Sequence, residues 1–219
     1  MANEDTWRAE LARHAPAAGL TEPAIDALVT WLSQLERWNR VHNLSAVRDP
    51  QQMVSRHVFD SLSLRPWLHG ERILDVGTGA GLPGLILALA DAYAPDGDAA
   101  ANRRYCLLDS AAKRVRFLRH VIGLLRTENV EARHLRIEQF APQTPFDTLV
   151  SRAFKAPAET LQRAGHLVAP QGRVLAMLGP ADRAREALPA PWSYHAVEPV
   201  TIPGEHAPRH IAIIERTAP

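Results

Sequence analysis

The segment that most limits what this chain can become is Ile73-Leu74-Asp75-Val76-Gly77-Thr78-Gly79-Ala80-Gly81-Leu82-Pro83-Gly84. An apolar run of strand type breaks into closely spaced glycines, and Pro83 stands where a helix can begin. Glycine lets the main chain turn tightly and lets a ligand approach it with no Cβ in the way. The helix that follows has unpaired N–H groups in its first turn. Strand, glycine turn and helix in that order open a βαβ unit, and open α/β sheets bind ligands beyond the carboxyl ends of their strands.

The chain after Arg72 continues the pattern. Runs of β type at 73–76, 105–108, 148–150, 173–177 and 211–214 alternate with helical stretches at 82–89, 111–125 and 156–168. Such alternation predicts an α/β fold, a Rossmann-like parallel sheet with helices on both faces. Residues 192–215 read as two strands joined by a Pro/Gly-rich loop at 203–208, a hairpin that can end the sheet with an antiparallel strand. The polar stretch 91–103 reads as an extended loop.

Before Arg72 the reading is helical. Thr21 can cap a helix with Glu22 and Pro23 in its first turn, and Ile25, Leu28, Leu32, Leu35 and Trp38 follow as an apolar stripe. A second helix is predicted to start at Asp49-Pro50 and to stop before Pro66. The expected organisation is therefore a helical N-terminal segment, residues 1–66, packed on a Rossmann-like domain of residues 67–219. A hydrophobic content of 46% argues against disorder, and the single cysteine, Cys106, cannot form an internal disulfide and suits a reducing compartment. The acidic residues Glu4 and Asp5 do not fit a signal peptide, and the longest apolar run is too short for a membrane span. The expectation is a cytoplasmic protein with no membrane association. A net charge of +1 announces no nucleic-acid partner, although cations cluster at 103–104 and 113–119.

Two carboxylates give the glycine turn its chemistry. Residues 79–84 fit the dinucleotide pattern G-x-G-x-x-G, a weak signal alone. Asp75, however, ends the strand just before the glycines, where a carboxylate meets a cationic group better than a pyrophosphate. S-adenosylmethionine carries an ammonium and a sulfonium. Asp109 ends the next strand-like run, where an acidic residue can accept from both hydroxyls of a ribose. Each has a plain structural alternative: Asp75 can cap the glycine turn, and Asp109, or Ser110 beside it, can cap the helix that follows. Three readings stay open on these grounds: a methyltransferase, a non-enzymatic module sensing S-adenosylmethionine or a dinucleotide, and an NAD-dependent oxidoreductase. Asp75 and the absence of a hydride-transfer acid/base partner weigh against the last.

Six segments then occur in order: Asn43-Leu44-Ser45-Ala46-Val47-Arg48-Asp49-Pro50, Arg56-His57-Val58-Phe59-Asp60-Ser61, the glycine segment, Leu107-Leu108-Asp109-Ser110, Lys113-Arg114-Val115-Arg116-Phe117-Leu118-Arg119, and Ser151-Arg152-Ala153-Phe154. Together they resemble the family of ribosomal RNA small subunit methyltransferase G, also called glucose-inhibited division protein B, over residues 31–215. The resemblance implies a class I methyltransferase that moves a methyl group from S-adenosylmethionine to N7 of one guanosine in 16S rRNA of the small ribosomal subunit; a monomer is expected. It implies cofactor contacts at Gly77, Gly79 and Leu82 of the glycine loop, and at Asp75 and Asp109. Ile137 and Glu138 match the pair that flanks the adenine. Arg152 matches the arginine that lines the active site, as catalytic residue and cofactor contact. RNA contacts are implied at Arg48, Arg56, His57, Lys113 and Arg116. Two departures stand out: Leu178 occupies a position where many relatives carry lysine, and the 91–103 loop is longer than usual.

Without the resemblance several of these residues have plainer roles. Lys113, Arg116 and His120 share a helical face opposite Val115, Leu118 and Ile122, as a solvated surface does. Arg56, His57 and Asp60 are spaced for a structural ion-pair network. His57 has no partner at metal-ligand spacing, so no metal is expected. Trp31 and Trp38 are expected to fill the helical core.

Overall fold

The computed structural model describes residues 2–95, 97–152, 155–179 and 186–217. Ala153 and Phe154 of the Ser-Arg-Ala-Phe segment lie outside them, as does Asp96 of the polar loop. Seven strands form one sheet in the order β3-β2-β1-β4-β5-β7-β6. The strands are β1 (Arg72–Val76), β2 (Arg104–Asp109), β3 (Val130–His134), β4 (Phe146–Arg152), β5 (Val168–Leu178), β6 (Trp192–Val200) and β7 (Arg209–Arg216). The first five are parallel, and β7 runs antiparallel between β5 and β6, as the hairpin reading required. The strand order reverses between β1 and β4, and such a reversal opens a crevice at the carboxyl edge of a sheet.

Alternate residues of the central strands supply two cores, as the two-residue period of a strand demands. Ile73, Tyr105, Leu107 and Val150 face one side, while Leu74, Val76, Cys106, Leu108 and Leu149 face the other. The first side is covered by α5 (Gly84–Ala92) and α6 (Ala112–Leu125) together with the N-terminal helices; the second is covered by α7 (Pro157–Ala164) and the 3-10 turn after it.

The N-terminal segment begins with α1 (Ala2–Ala18), which buries Trp7, Leu11 and Ala15 one turn apart. Helix α2 (Glu22–His42) starts as read from sequence: Thr21 is its cap and accepts the Ala24 amide at 3.4 Å. Its stripe of Ile25, Leu28, Leu32 and Leu35 is fully buried. Trp31 fills the core, but its indole N–H also donates to the Ala80 carbonyl in the glycine turn, at 3.1 Å. The second predicted helix does start at Pro50, capped by Asp49, whose carboxylate accepts the Gln52 amide at 2.9 Å. It is not one regular helix: α3 (Pro50–Met53) passes into a π-helical turn (Val54–Phe59) and then α4 (Asp60–Leu62). A π turn widens the spiral by a residue and re-aims the side chains that follow, often at functional sites.

One expectation needs correction. The polar stretch from Asp91 is not loop at its start, because Asp91 and Ala92 are the last residues of α5. Asp91 is fully buried: it pairs with Arg65 at 2.7 Å and Arg103 at 3.2 Å and accepts the Tyr105 hydroxyl at 2.6 Å. A four-residue 3-10 turn, Ala99–Asn102, orders much of the rest. Strand β3 leaves no pattern in the sequence. It is an edge strand whose only buried residues are Val130 and Ala132, two apolar positions among charges, which is too little for a pattern.

Asp91 joins the N-terminal segment, through Arg65, to the sheet. Removing one member of a buried, hydrogen-bonded ion group costs about 3–5 kcal/mol because it strands the others. Asp91→Ala is therefore expected to lower the urea midpoint by that much stability, and Asp91→Asn, which can still accept from Tyr105, by less. Equal and small losses in both would contradict the role given to the carboxylate.

Candidate active site

The carboxyl ends of β1, β2 and β4 carry the candidate residues. Leaving β1, the chain takes positive φ at Gly77 (+69°), Gly79 (+62°) and Gly81 (+96°), a region that side chains with a Cβ rarely adopt. The amides of Gly77 and Thr78 donate to the Leu108 carbonyl at the end of β2, at 2.9 and 3.3 Å. The turn is thus pinned across two neighbouring strands.

Both carboxylates take up the capping roles that the sequence left open. Asp75 is buried, and its Oδ2 accepts the amide of Gly84, the first residue of α5, at 2.7 Å. Its other oxygen, Oδ1, is buried with no hydrogen-bond partner. Asp109 is also buried; Oδ2 accepts the Gly79 amide at 2.9 Å, and Oδ1 accepts the Ala111 amide at 2.8 Å at the head of α6. Arg114 reaches Asp109 Oδ2 at 3.3 Å. Burial pushes the Asp75 carboxyl up to about 7, although the Gly84 amide favours its ionised form.

Beside these groups lies a crevice of about 280 Å³ lined by Gly77, Leu108, Asp109, Ile137, Glu138 and Arg163 among others. Ile137 and Glu138 stand on a 3-10 turn, Ile137 buried and Glu138 paired with Arg163 at 3.0 Å. Four positions predicted to contact a cofactor (Gly77, Asp109, Ile137, Glu138) therefore converge on one crevice. Gly79 borders it through its bond to Asp109. Asp75 lies beneath the glycine turn, while Leu82 precedes α5 and is part of its packing. A larger groove of about 700 Å³ sits at the opposite, amino edge of the strands, among Arg72, Arg104 and Phe146, and holds none of the predicted residues. The smaller crevice is the chemically equipped one: it has the open glycine turn and the buried carboxylate of Asp109 in its wall.

Arg152 ends β4 and is half-buried. Its Nη1 donates to the Arg56 carbonyl at 2.8 Å and pairs with Asp60 Oδ2 at 3.2 Å. Its Nη2 lies 3.5 Å from His57 Nδ1. Asp60 also pairs with Arg209 at 3.4 Å, and Glu205 takes Arg56 at 2.8 Å. Arg56 and Asp60 thus do sit in ion pairs, as their spacing suggested, but with Glu205, Arg152 and Arg209 rather than with each other, and His57 takes no part in them. His57 is buried and bonded through Nε2 to the Ser45 hydroxyl at 2.8 Å, so its ring faces inward rather than toward an outside phosphate. Burial, and then the Arg152 charge, push it down to about 4, leaving it neutral at physiological pH. Arg56 keeps a partly exposed guanidinium but already has a carboxylate partner. Arg48, Lys113 and Arg116 are exposed; Arg48 donates to Asn43 Oδ1 at 3.0 Å. Sequence reasoning missed Glu205 and Arg209, which face residues about 150 positions earlier, where no spacing rule reaches. Leu178 is buried at the end of β5. Among the described residues no cluster of three or more His, Cys, Asp or Glu could hold a metal ion, and no helix is long and apolar enough to cross a membrane.

The strand order, the glycine turn after β1 and the acidic residue closing β2 define a Rossmann-like class I methyltransferase. The same fold is found in TrmN from Thermus thermophilus (TM-score 0.53, 22% identity, 72% of this chain and 48% of that one). It recurs in the glycopeptide N-methyltransferase MtfA, solved in complex with S-adenosylmethionine (TM-score 0.57, 10% identity, 74% and 88%). The chain belongs to the rRNA small subunit methyltransferase G family, whose model matches residues 24–212. Relatives named ribosomal RNA small subunit methyltransferase G include those of Idiomarina loihiensis (41% identity, 90% of this chain and 92% of the relative) and Escherichia coli K12 (38%, 90% and 91%).

The high Asp75 pKa has a signed consequence. The unfolded carboxyl titrates near 3.8 and the folded one near 7, so the folded state holds its proton more tightly. The stability this contributes is present below pH 4 and is lost as pH rises toward 7. Asp75→Asn keeps a neutral acceptor for Gly84. Its stability relative to the parent, measured by urea unfolding across pH, is expected to climb between pH 4 and 7 and then level off. A flat difference would show that Asp75 titrates normally.

Proposed function

We propose that this chain transfers the methyl group of S-adenosylmethionine to N7 of one guanosine in 16S rRNA, acting as a monomer on the small ribosomal subunit in the cytoplasm. The reading is carried by the crevice beside the glycine turn, with Asp109 in its wall and Asp75 beneath the turn, in a member of this family. It takes the helical segment 1–66 as an accessory to the catalytic domain 67–219.

The residues present fit the cofactor. The unpartnered Oδ1 of Asp75 is a buried acceptor in want of a donor, and a Cβ built on Gly79 would meet nothing closer than 3.9 Å, so the main chain there is bare. Asp75 would hold the ammonium end, Asp109 the ribose hydroxyls, and Ile137 with Glu138 the adenine. When bound, S-adenosylmethionine supplies a methyl group on an electrophilic sulfonium. Guanine N7 has a free lone pair and no proton to lose, so the chain needs no general base. Its own task is alignment and control of charge. His57, neutral and turned inward, fits that scheme. Arg152 stays protonated and can fork onto a base edge or phosphate, a geometry lysine copies poorly. Lys113 and Arg116 are exposed, and among the described residues neither has an acidic partner, so both can meet RNA phosphates.

Mass mapping of 16S rRNA from cells with and without the protein tests the proposal; an unchanged modification pattern would sink it. Two variants test the site. Gly77→Val forces a β-branched residue to a φ of +69° in the crevice wall, and folded variant protein is expected to show no S-adenosylmethionine binding by titration calorimetry. Arg152→Ala is expected to keep the fold, because Arg209 still pairs with Asp60, and most cofactor affinity. It should lose on the order of 10²-fold in single-turnover methyl transfer, with partial recovery in Arg152→Lys. Near-normal transfer by the alanine variant would remove Arg152 from the active site.

A further inference from the structure

Two stretches of this chain are rich in cations and free of acid. Residues 37–48 hold Arg37, Arg40 and Arg48, residues 110–127 hold Lys113, Arg114, Arg116, Arg119 and Arg126, and neither contains Asp or Glu. Since the whole chain is only +1, the remaining residues are together net negative. Such asymmetry is the electrostatic footprint of a polyanion site.

The fold lays the two stretches side by side. Helices α2 and α6 run antiparallel. Lys113 Nζ donates to the His42 carbonyl at 3.2 Å, Trp38 sits 5.6 Å from the Phe117 ring and 5.5 Å from the His120 ring, and His120 Nε2 lies 2.9 Å from Gln34 Oε1. Trp38 is thus a half-buried wedge that fixes the register, as the sequence suggested when it assigned this ring to packing. Two of the α6 cations turn away: Arg114 to Asp109, and Arg119 to the Ala132 carbonyl at 3.1 Å. Lys113 and Arg116 stay exposed, as do Arg37 and Arg40 on α2. Among the described residues Arg37 and Arg116 have no ion-pair partner, and Arg40 has only Glu36, at 4.0 Å. Val41, beside Arg40, is 77% exposed, the most exposed large hydrophobic among the described residues.

We infer that this α2–α6 ridge is a docking surface for the RNA backbone, with Arg37 and Arg40 of the N-terminal segment supplying half of it. The inference rests on RNA being the substrate. Its position suits the role: α6 starts directly behind Asp109, and α2 runs into the Ser45 loop that touches His57 and, through it, Arg152. A protein partner fits less well, because Val41 is a single apolar residue among unpaired cations, whereas the central part of a protein interface is depleted of charge.

The test is the double variant Arg37→Gln/Arg40→Gln in the full chain, neither residue belonging to the crevice. Affinity for naked 16S rRNA and for small subunits lacking the modification is measured over a salt series. Each lost phosphate contact is expected to reduce the log–log slope by ~0.9 on duplex or ~0.7 on single strand. KM for RNA should rise with kcat unchanged, and cofactor affinity and the urea midpoint should stay at parental values. A slope equal to the parent's overturns the assignment and leaves the ridge as solvated surface. Weaker binding to whole subunits with an unchanged slope on naked RNA also overturns it, in favour of a ribosomal protein partner. If the parent itself methylates no RNA, the proposed function fails first; if it does and the variant matches it, only the ridge fails.

Discussion

One contact sets the geometry of this molecule: the Gly84 amide, at the head of α5, on the buried carboxylate of Asp75, at 2.7 Å. It fixes the angle at which the first helix leaves the first strand. Only glycine permits it, since a Cβ at position 84 would come within 2.7 Å of that carboxylate and 2.5 Å of Leu107. Everything the site needs follows from that fixed exit. The glycine turn is stretched over the end of β2, its amides reach Leu108, and Asp109 can bond to both Gly79 and the start of α6. The cost is a carboxylate in an apolar interior with one oxygen unpaired, and burial raises its pKa to about 7.

The second joint lies at the end of β4. Arg152 is held from the N-terminal side by Asp60 and the Arg56 carbonyl, while Arg209 and Glu205 approach the same residues from the C-terminal hairpin. Three distant parts of the chain meet there. The π turn at Val54–Phe59 brings this about, because it presents Arg56, His57 and Asp60 to the sheet edge rather than letting them follow a regular spiral.

What the sequence disclosed and what it hid divide on physical lines. Long periodic segments were legible: the α2 stripe, the capped start at Asp49-Pro50, and the strand–glycine–helix unit announced themselves through local rules. The glycine turn and Asp109 could be joined from the strand ends they occupy, whereas Ile137 and Glu138 were legible only through the family resemblance, since nothing in their spacing brings residue 137 to residue 77. Strand β3 stayed hidden because an edge strand needs few apolar residues. Asp91 was misread because a polar residue next to a loop looks solvated until its partners, Arg65, Arg103 and Tyr105, are folded around it. The capping and binding readings of Asp75 and Asp109 could not be separated in sequence, since a carboxylate at a helix start serves either purpose; in the fold both cap, and Asp75 keeps an oxygen spare.

The hydrogen bond from Trp31 to the Ala80 carbonyl bears on how such a protein can change over generations. Many composite enzymes are assembled from a catalytic unit and a recognition unit that can be exchanged like cassettes. Here the N-terminal helices share one continuous apolar core with the sheet, and one of their indoles holds the glycine turn itself. A graft of these helices onto another scaffold would leave a carbonyl in that turn without its donor and a face of the sheet uncovered. The two parts must therefore drift together, each substitution at their seam judged by both.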